Sequence, residues 1–301
     1  MQLSHYIRKT LATTVVFSVM VLPAINELHK STLTVSRGSQ DLVQADPGRL
    51  VERGIEKLNR ENYQEAIEVF TEAVKNNPDL AIVYFKRGFA HFKLGEYQEA
   101  IADLNQVLRI NPEYADAYYN RGIAHYQLGE DQEAITDFTQ ALQINPKDAD
   151  AYFMRGLAHA ELGEYQEEIA DYNQALQINP EYATAYYNRG RARAKLGNYQ
   201  KAIEDADQAL QIDPNLAKAY LNRSAAHLEL GEYQKVIEDA DQALQINPNL
   251  ARAYFNWGLA HYQLGEDQEA IADLQKAAQL FLDQGEQANY ELTRTLIQKL
   301  Q

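Results

Sequence analysis

The sequence predicts an all-α solenoid in which one helix pair is stacked many times over, and three observations carry that expectation. Six of the eight prolines, Pro78, Pro112, Pro146, Pro180, Pro214 and Pro248, stand 34 residues apart. Twelve of the 15 glycines occupy two places in the same frame. Apolar residues recur at helical spacing in two runs per frame. A period of this size marks units that cannot bury an apolar face alone and stack on their neighbours to do so. The 301 residues therefore read as one array, although length alone would suggest about two globules.

The first element, residues 1–25, differs in kind from the rest. Arg8 and Lys9 precede the apolar run Leu11–Leu22, which is followed by Pro23 and Ala24. A basic start and a short apolar run resemble an export signal. A helix from Leu11 to Ile25 would span about 22 Å, against about 30 Å for a bilayer core, which favours a signal peptide over a membrane-spanning helix. Leu22 spoils the small-x-small cleavage pattern at Ala24, so an uncleaved membrane anchor stays open. The expectation is an exported or membrane-anchored protein, with a cytoplasmic location as the alternative. Residues 26–46 are polar and mixed, and read as a linker.

Placing each proline at position 32 of a 34-residue unit gives seven units: 47–80, 81–114, 115–148, 149–182, 183–216, 217–250 and 251–284. Glycine then falls at position 8 in six units and at position 15 in six. In unit two, Ile82, Tyr84, Phe85, Phe89, Phe92 and Leu94 predict a first helix, ended by Gly95, which can adopt positive φ. Ala100, Ile101, Leu104, Val107 and Leu108 predict a second helix. Proline disfavours helical geometry in the residue before it, so this helix closes at Asn111-Pro112. Small residues at positions 8 and 20 let the two helices approach, while aromatics at positions 4 and 5 fill space between units. Beyond the last unit, Leu292, Leu296, Ile297 and Leu300 predict a capping helix within 285–301.

In unit three, Tyr118, Gly122, Leu128-Gly129, Ala134, Phe138, Ala141 and Pro146 together resemble the tetratricopeptide repeat (TPR). The resemblance covers 47–284. It implies antiparallel helix pairs in a right-handed superhelix, and a concave groove, lined by the first helices, that binds a protein or peptide. Some positions depart from the pattern. Leu50 and Glu61 replace an aromatic and a glycine in unit one, Asp131 and Asp267 replace tyrosine, Glu168 and Val236 replace alanine, and Leu282 replaces the last proline.

Composition removes several classes of function. There is no cysteine, which excludes disulfides, thiolate metal sites and cysteine nucleophiles. Lys plus Arg is 28 against 43 Asp plus Glu, and a net charge of −15 argues against a nucleic-acid surface. Five histidines, His91, His125, His159, His227 and His261, share position 11. Equivalent sites on adjacent units are too far apart to share one metal ion, so they read as packed side chains. Arg at position 7 in units one to six and Asp at position 23 in units two to seven read as a ladder of ion pairs. No catalytic motif, cofactor site or metal site is expected.

What the family resemblance implies for binding falls on the first helices. Asn120, Asn188, Asn222 and Asn256 occupy position 6, and an amide row could hold the backbone of an extended peptide. Position 5 supplies Phe85, Tyr119, Phe153, Tyr187 and Phe255. Unit five carries Arg191 and Lys195 one turn apart, and Lys218 and Arg252 at position 2 extend the basic character. The carboxylate-clamp subtype is a poor match, because position 5 carries no lysine in any unit. Two readings of these residues are open: a groove gripping a segment with an acidic or carboxylate end, or inter-unit core whose cations meet acidic neighbours. The function expected is a non-catalytic protein-interaction module, an adaptor or assembly factor. The alternative is a self-associating scaffold without a peptide ligand.

Overall fold

The structure, a computed structural model, describes residues 47–301, which among themselves form fifteen helices and no strand. The predicted signal or anchor at 1–25 and the linker at 26–46 lie outside the described residues. The order is α1 (Pro47–Asn59), α2 (Tyr63–Asn76), α3 (Ala81–Leu94), α4 (Tyr97–Ile110), α5 (Ala115–Leu128), α6 (Asp131–Ile144) and α7 (Ala149–Leu162). There follow α8 (Tyr165–Ile178), α9 (Ala183–Lys195), α10 (Tyr199–Ile212), α11 (Ala217–Glu229), α12 (Tyr233–Ile246), α13 (Ala251–Leu264), α14 (Asp267–Asp283) and α15 (Gln287–Leu300). They fall into two compact units, 47–162 and Gly163–Gln301. Among the described residues no helix is long and apolar enough to cross a membrane.

Two turn chemistries alternate along the chain. After α3, Gly95 sits at φ 79°, and the Gly95 and Glu96 amides donate to the Phe92 and His91 carbonyls at 3.0 and 2.9 Å. This left-handed closure satisfies carbonyls that the helix end would leave free. Unit one makes the same turn with Glu61 at φ 59°, the one described non-glycine residue at positive φ. After α4 the Asn111 side chain accepts from the Glu113 amide at 3.2 Å, and Asn145, Asn179, Asp213 and Asn247 repeat the device ahead of their prolines.

Helix pairing depends on the small residue at position 8. A methyl group on Gly190 would meet the Ala202 carbonyl oxygen at 3.1 Å, and one on Gly54 would meet the Phe70 ring at 2.3 Å. Where unit six has Ser224 instead, its hydroxyl donates to the Val236 carbonyl at 3.4 Å. The core between helices is apolar and closed, with Phe70, Val83, Val107, Phe138 and Phe153 all sealed from solvent.

The arginine row is a clamp that joins successive repeats. The guanidiniums of Arg87, Arg121, Arg189 and Arg223 each lie 2.6 Å from the position-23 aspartate of their own repeat, Asp103, Asp137, Asp205 and Asp239. A second guanidinium nitrogen reaches back to position 25 of the preceding repeat: Arg87 to Thr71, Arg121 to Asn105, Arg155 to Thr139, Arg189 to Asn173 and Arg223 to Asp207. Each of these five arginines also lies over its repeat's position-4 tyrosine, 5.2–5.5 Å from the ring centre. One side chain thus ties a helix pair to itself and to its neighbour.

In the C-terminal unit the first helices α9, α11 and α13 touch one another in turn, whereas the second helices α10, α12 and α14 hardly do. The first helices therefore occupy the inner side of the local curve. At the end of this unit, with Leu282 in place of proline, α14 runs for 17 residues instead of 14. Its extra turn places Phe281 beside Phe255, ring centres 6.2 Å apart, before α15 folds back over it.

Candidate partner-binding surface

The structure divides the predicted groove residues into packed and open groups. Asn120 and Asn188 donate their amides to the carbonyls of Asp116 and Thr184, one turn back on their own helices, and both are buried. Asn256 is buried as well and donates to the Ser224 hydroxyl at 3.4 Å. Asn222 is half-buried and donates to the Tyr187 carbonyl at 3.4 Å. Asn120 and Asn188, expected to face a peptide backbone, are turned into the helix packing, because a buried amide must find its partners there, whereas Asn222 and Asn256 also border the cavity described below. Phe85, Tyr119 and Phe153 are likewise core residues, while Tyr187 and Phe255 keep part of their rings open.

The basic stretch of unit five is mostly neutralised from within. Arg189 and Arg193 both hold Asp205, at 2.6 and 2.8 Å. Arg193 stands at position 11, where five other repeats carry histidine, so unit five sets a second guanidinium against the aspartate where those repeats have an imidazole. Arg191 lies 3.4 Å from Glu168, a carboxylate buried completely where most repeats have alanine. Burial works against the Arg191 charge, but Tyr172, Tyr187 and Glu168 outweigh it and hold the group above its ordinary value. Burial pushes the Tyr187 hydroxyl up, while Arg191 and Arg252 pull it down, so both cations act on one phenol.

Three cations stay open to solvent on the first helices of this unit. Lys195 and Lys218 are exposed and make no ion pair among the described residues. Arg252 keeps 60% of its side chain exposed, with Glu286 as its carboxylate neighbour at 3.9 Å. Between α11, α13, α14 and α15 the same surface opens into a cavity of about 270 Å3. Its walls include Leu221, Phe255, Phe281 and Leu292, with Asn222, Arg252 and Asn289 supplying polar edges. Phe281, Asn289 and Leu292 come from the extended α14 and the capping helix, which the sequence pattern marked only as an end. The missing proline at Leu282 was the available signal.

In the N-terminal unit the face corresponding to position 6 carries Lys86, which the sequence reading passed over. It is half-buried, has no ion pair among the described residues, and is held below its ordinary value by burial. The position-11 histidines are engaged locally: Nδ1 of His91 and His125 lies 2.6 Å from Glu96 and Glu130. Those glutamates stand at the N-caps of α4 and α6 without capping them. Among the described residues no group of three His, Asp or Glu side chains could hold a metal ion.

Family profiles described as TPR repeat match residues 57–95, 90–129, 156–197 and 226–265. Profiles described as tetratricopeptide repeat match 115–148 and 183–216, with further ones at 251–283 and 138–170. No curated protein matches the sequence. Among solved structures, the MamA protein is 27% identical, with 57% of this chain and 94% of that chain covered and a TM-score of 0.54. YrrB, described as a TPR protein with an unusual peptide-binding site, is 24% identical over 62% and 96%, with a TM-score of 0.56. A tetratricopeptide repeat protein from Parabacteroides merdae is 20% identical over 82% and 98%, with a TM-score of 0.62. The last two likenesses show the fold.

Proposed function

This chain belongs to the tetratricopeptide repeat family, whose members are generally non-catalytic protein–protein interaction modules, and we propose that it grips an extended acidic segment of a partner protein along α9, α11 and α13. The observation carrying this reading is the set of solvent-exposed cations on first helices of a chain that is otherwise strongly acidic: Lys195 and Lys218, which make no ion pair among the described residues, and Arg252, whose one carboxylate neighbour lies 3.9 Å away. Residues 47–301 alone are more negative than the whole, so these cations stand against the general field and would steer an acidic segment to one face. The role that fits is an adaptor or assembly factor. The basic start and apolar run of residues 1–25 support export or anchoring, which N-terminal sequencing of the mature protein would test.

The groove reading is tested by anisotropy with a fluorescein-labelled Glu/Ser decapeptide across a salt series. Binding should weaken with salt, and the double change Lys195→Glu/Lys218→Glu should abolish most of it and flatten the salt slope. Lys201→Glu, on the exposed face of α10, should have little effect. Unchanged affinity and slope in the double variant would sink the reading.

A further inference from the structure

We infer that the cavity at the C-terminal end of the groove is an anchor for one bulky apolar side chain of the partner, with a neighbouring carboxylate of the same segment meeting Arg252. This rests on the acidic-segment reading above and names what the segment must contain.

The walls argue for the apolar half. Leu221, Phe255 and Phe281 line a space of about 270 Å3, near the lower end of the roughly 300–1,000 Å3 that ligand pockets occupy. Leu292 stands at its edge with 53% of its surface in water, the most exposed of the described large apolar residues. An apolar side chain would cover Leu221, Phe255, Phe281 and Leu292, which a polar occupant would leave unmatched, while Asn222, Asn256 and Asn289 border the same space.

Charge argues for the acidic half. Glu286 already accepts from the Asn289 amide at 2.5 Å, and Arg252 approaches the same carboxylate oxygen only to 3.9 Å. At that separation, and with most of its surface in water, the guanidinium is loosely matched and free to take a partner's carboxylate in the two-pronged geometry it favours. Lys218, at the equivalent position one repeat earlier, gives the approach the same sign. A basic segment would be repelled along this path.

The test uses the full chain and four labelled Gly/Ser nonapeptides carrying a central Leu-Glu, Ser-Glu, Leu-Gln or Ser-Gln pair, read by anisotropy. The Leu-Glu peptide should bind at least about tenfold tighter than Ser-Glu, the margin expected from burying one leucine-sized side chain, and about tenfold tighter than Leu-Gln, the margin of a hydrogen bond to a charged group. Leu292→Ser, at a site with 53% of its surface in water, should erase the advantage of Leu over Ser and keep that of Glu over Gln, with an unchanged melting temperature as the check on folding. Arg252→Gln should do the reverse. Equal affinity for Leu-Glu and Ser-Glu would overturn the anchor and leave the acidic groove standing, whereas no preference for Glu in any peptide would overturn both. Concentration-dependent growth in sedimentation that Leu292→Ser abolishes would give the cavity to a second copy of the chain and overturn the assignment.

Discussion

A guanidinium nitrogen of Arg191, on the first helix of one repeat, lies 3.4 Å from the Glu168 carboxylate on the second helix of the repeat before it, and that carboxylate has no exposed surface. Both residues depart from their positions' pattern, and each accounts for the other. An alanine site has become an acid, and an apolar site on the adjoining helix has become the cation that faces it. Burying one without the other would strand a charge.

The first prediction follows from that stranding. Removing one partner of a buried pair costs more than the pair contributes, roughly 3–5 kcal/mol when both are fully enclosed. Arg191 is 39% exposed, so Arg191→Met should cost less, about 2 kcal/mol, measured by urea denaturation. Restoring the repeat pattern with Glu168→Ala alongside Arg191→Leu should recover most of the loss. Additive penalties in the double variant would show that the two side chains do not depend on each other.

Glu61 offers a second test. It takes the left-handed conformation, φ 59°, that glycine takes at the same turn of six later repeats. A side chain there costs roughly 1–2 kcal/mol. Its own side chain is exposed, so little packing is lost on replacement. Glu61→Gly should stabilise the N-terminal unit by about 0.5–1 kcal/mol, offset partly by the greater freedom of an unfolded glycine. A drop in melting temperature would contradict the strain argument.

The seventh repeat carries a third. Trp257 replaces the clamp arginine, leaving Asp273 with His261, whose Nδ1 lies 3.0 Å away but is not aligned for a hydrogen bond. Burial raises the Asp273 carboxyl above its ordinary value, although His261 pulls it down. A carboxyl raised in the folded state binds more protons folded than unfolded, so its contribution to stability falls as pH rises from the ordinary aspartate range through the raised value. Asp273→Asn should therefore make the C-terminal unit more stable at neutral pH and reduce the loss of stability as pH rises from the ordinary aspartate range to neutral. Melting curves across that range, with an Asn variant no more stable than the parent at pH 7, would refute it.

The fold was legible because its signals are local and repeated. A proline that forbids a helical predecessor, or a glycine that permits positive φ, acts within a few residues. Seven recurrences then turn weak preferences into a register. The Arg87–Asp103 partnership and its equivalents could be anticipated from the two rows, but not the reach back to Thr71 or Asn105, which depends on how adjacent pairs dock.

The groove was legible only in outline. Position numbers say which side chains share a helix face, and the sequence alone determined that Asn120, Asn188, Arg191 and Lys195 lie on first helices. Tertiary structure decided which of them face water. It turned the Asn120 and Asn188 amides onto backbone carbonyls, set Arg191 against Glu168, and left Lys195, Lys218 and Arg252 exposed. It also made a cavity from residues 60 or more apart in sequence, Leu221 and Phe281 among them. The physical reason is range. Turn and helix preferences are settled by neighbours along the chain, whereas burial and charge pairing are settled by neighbours across a packed interface, which a repeat register orders but does not display.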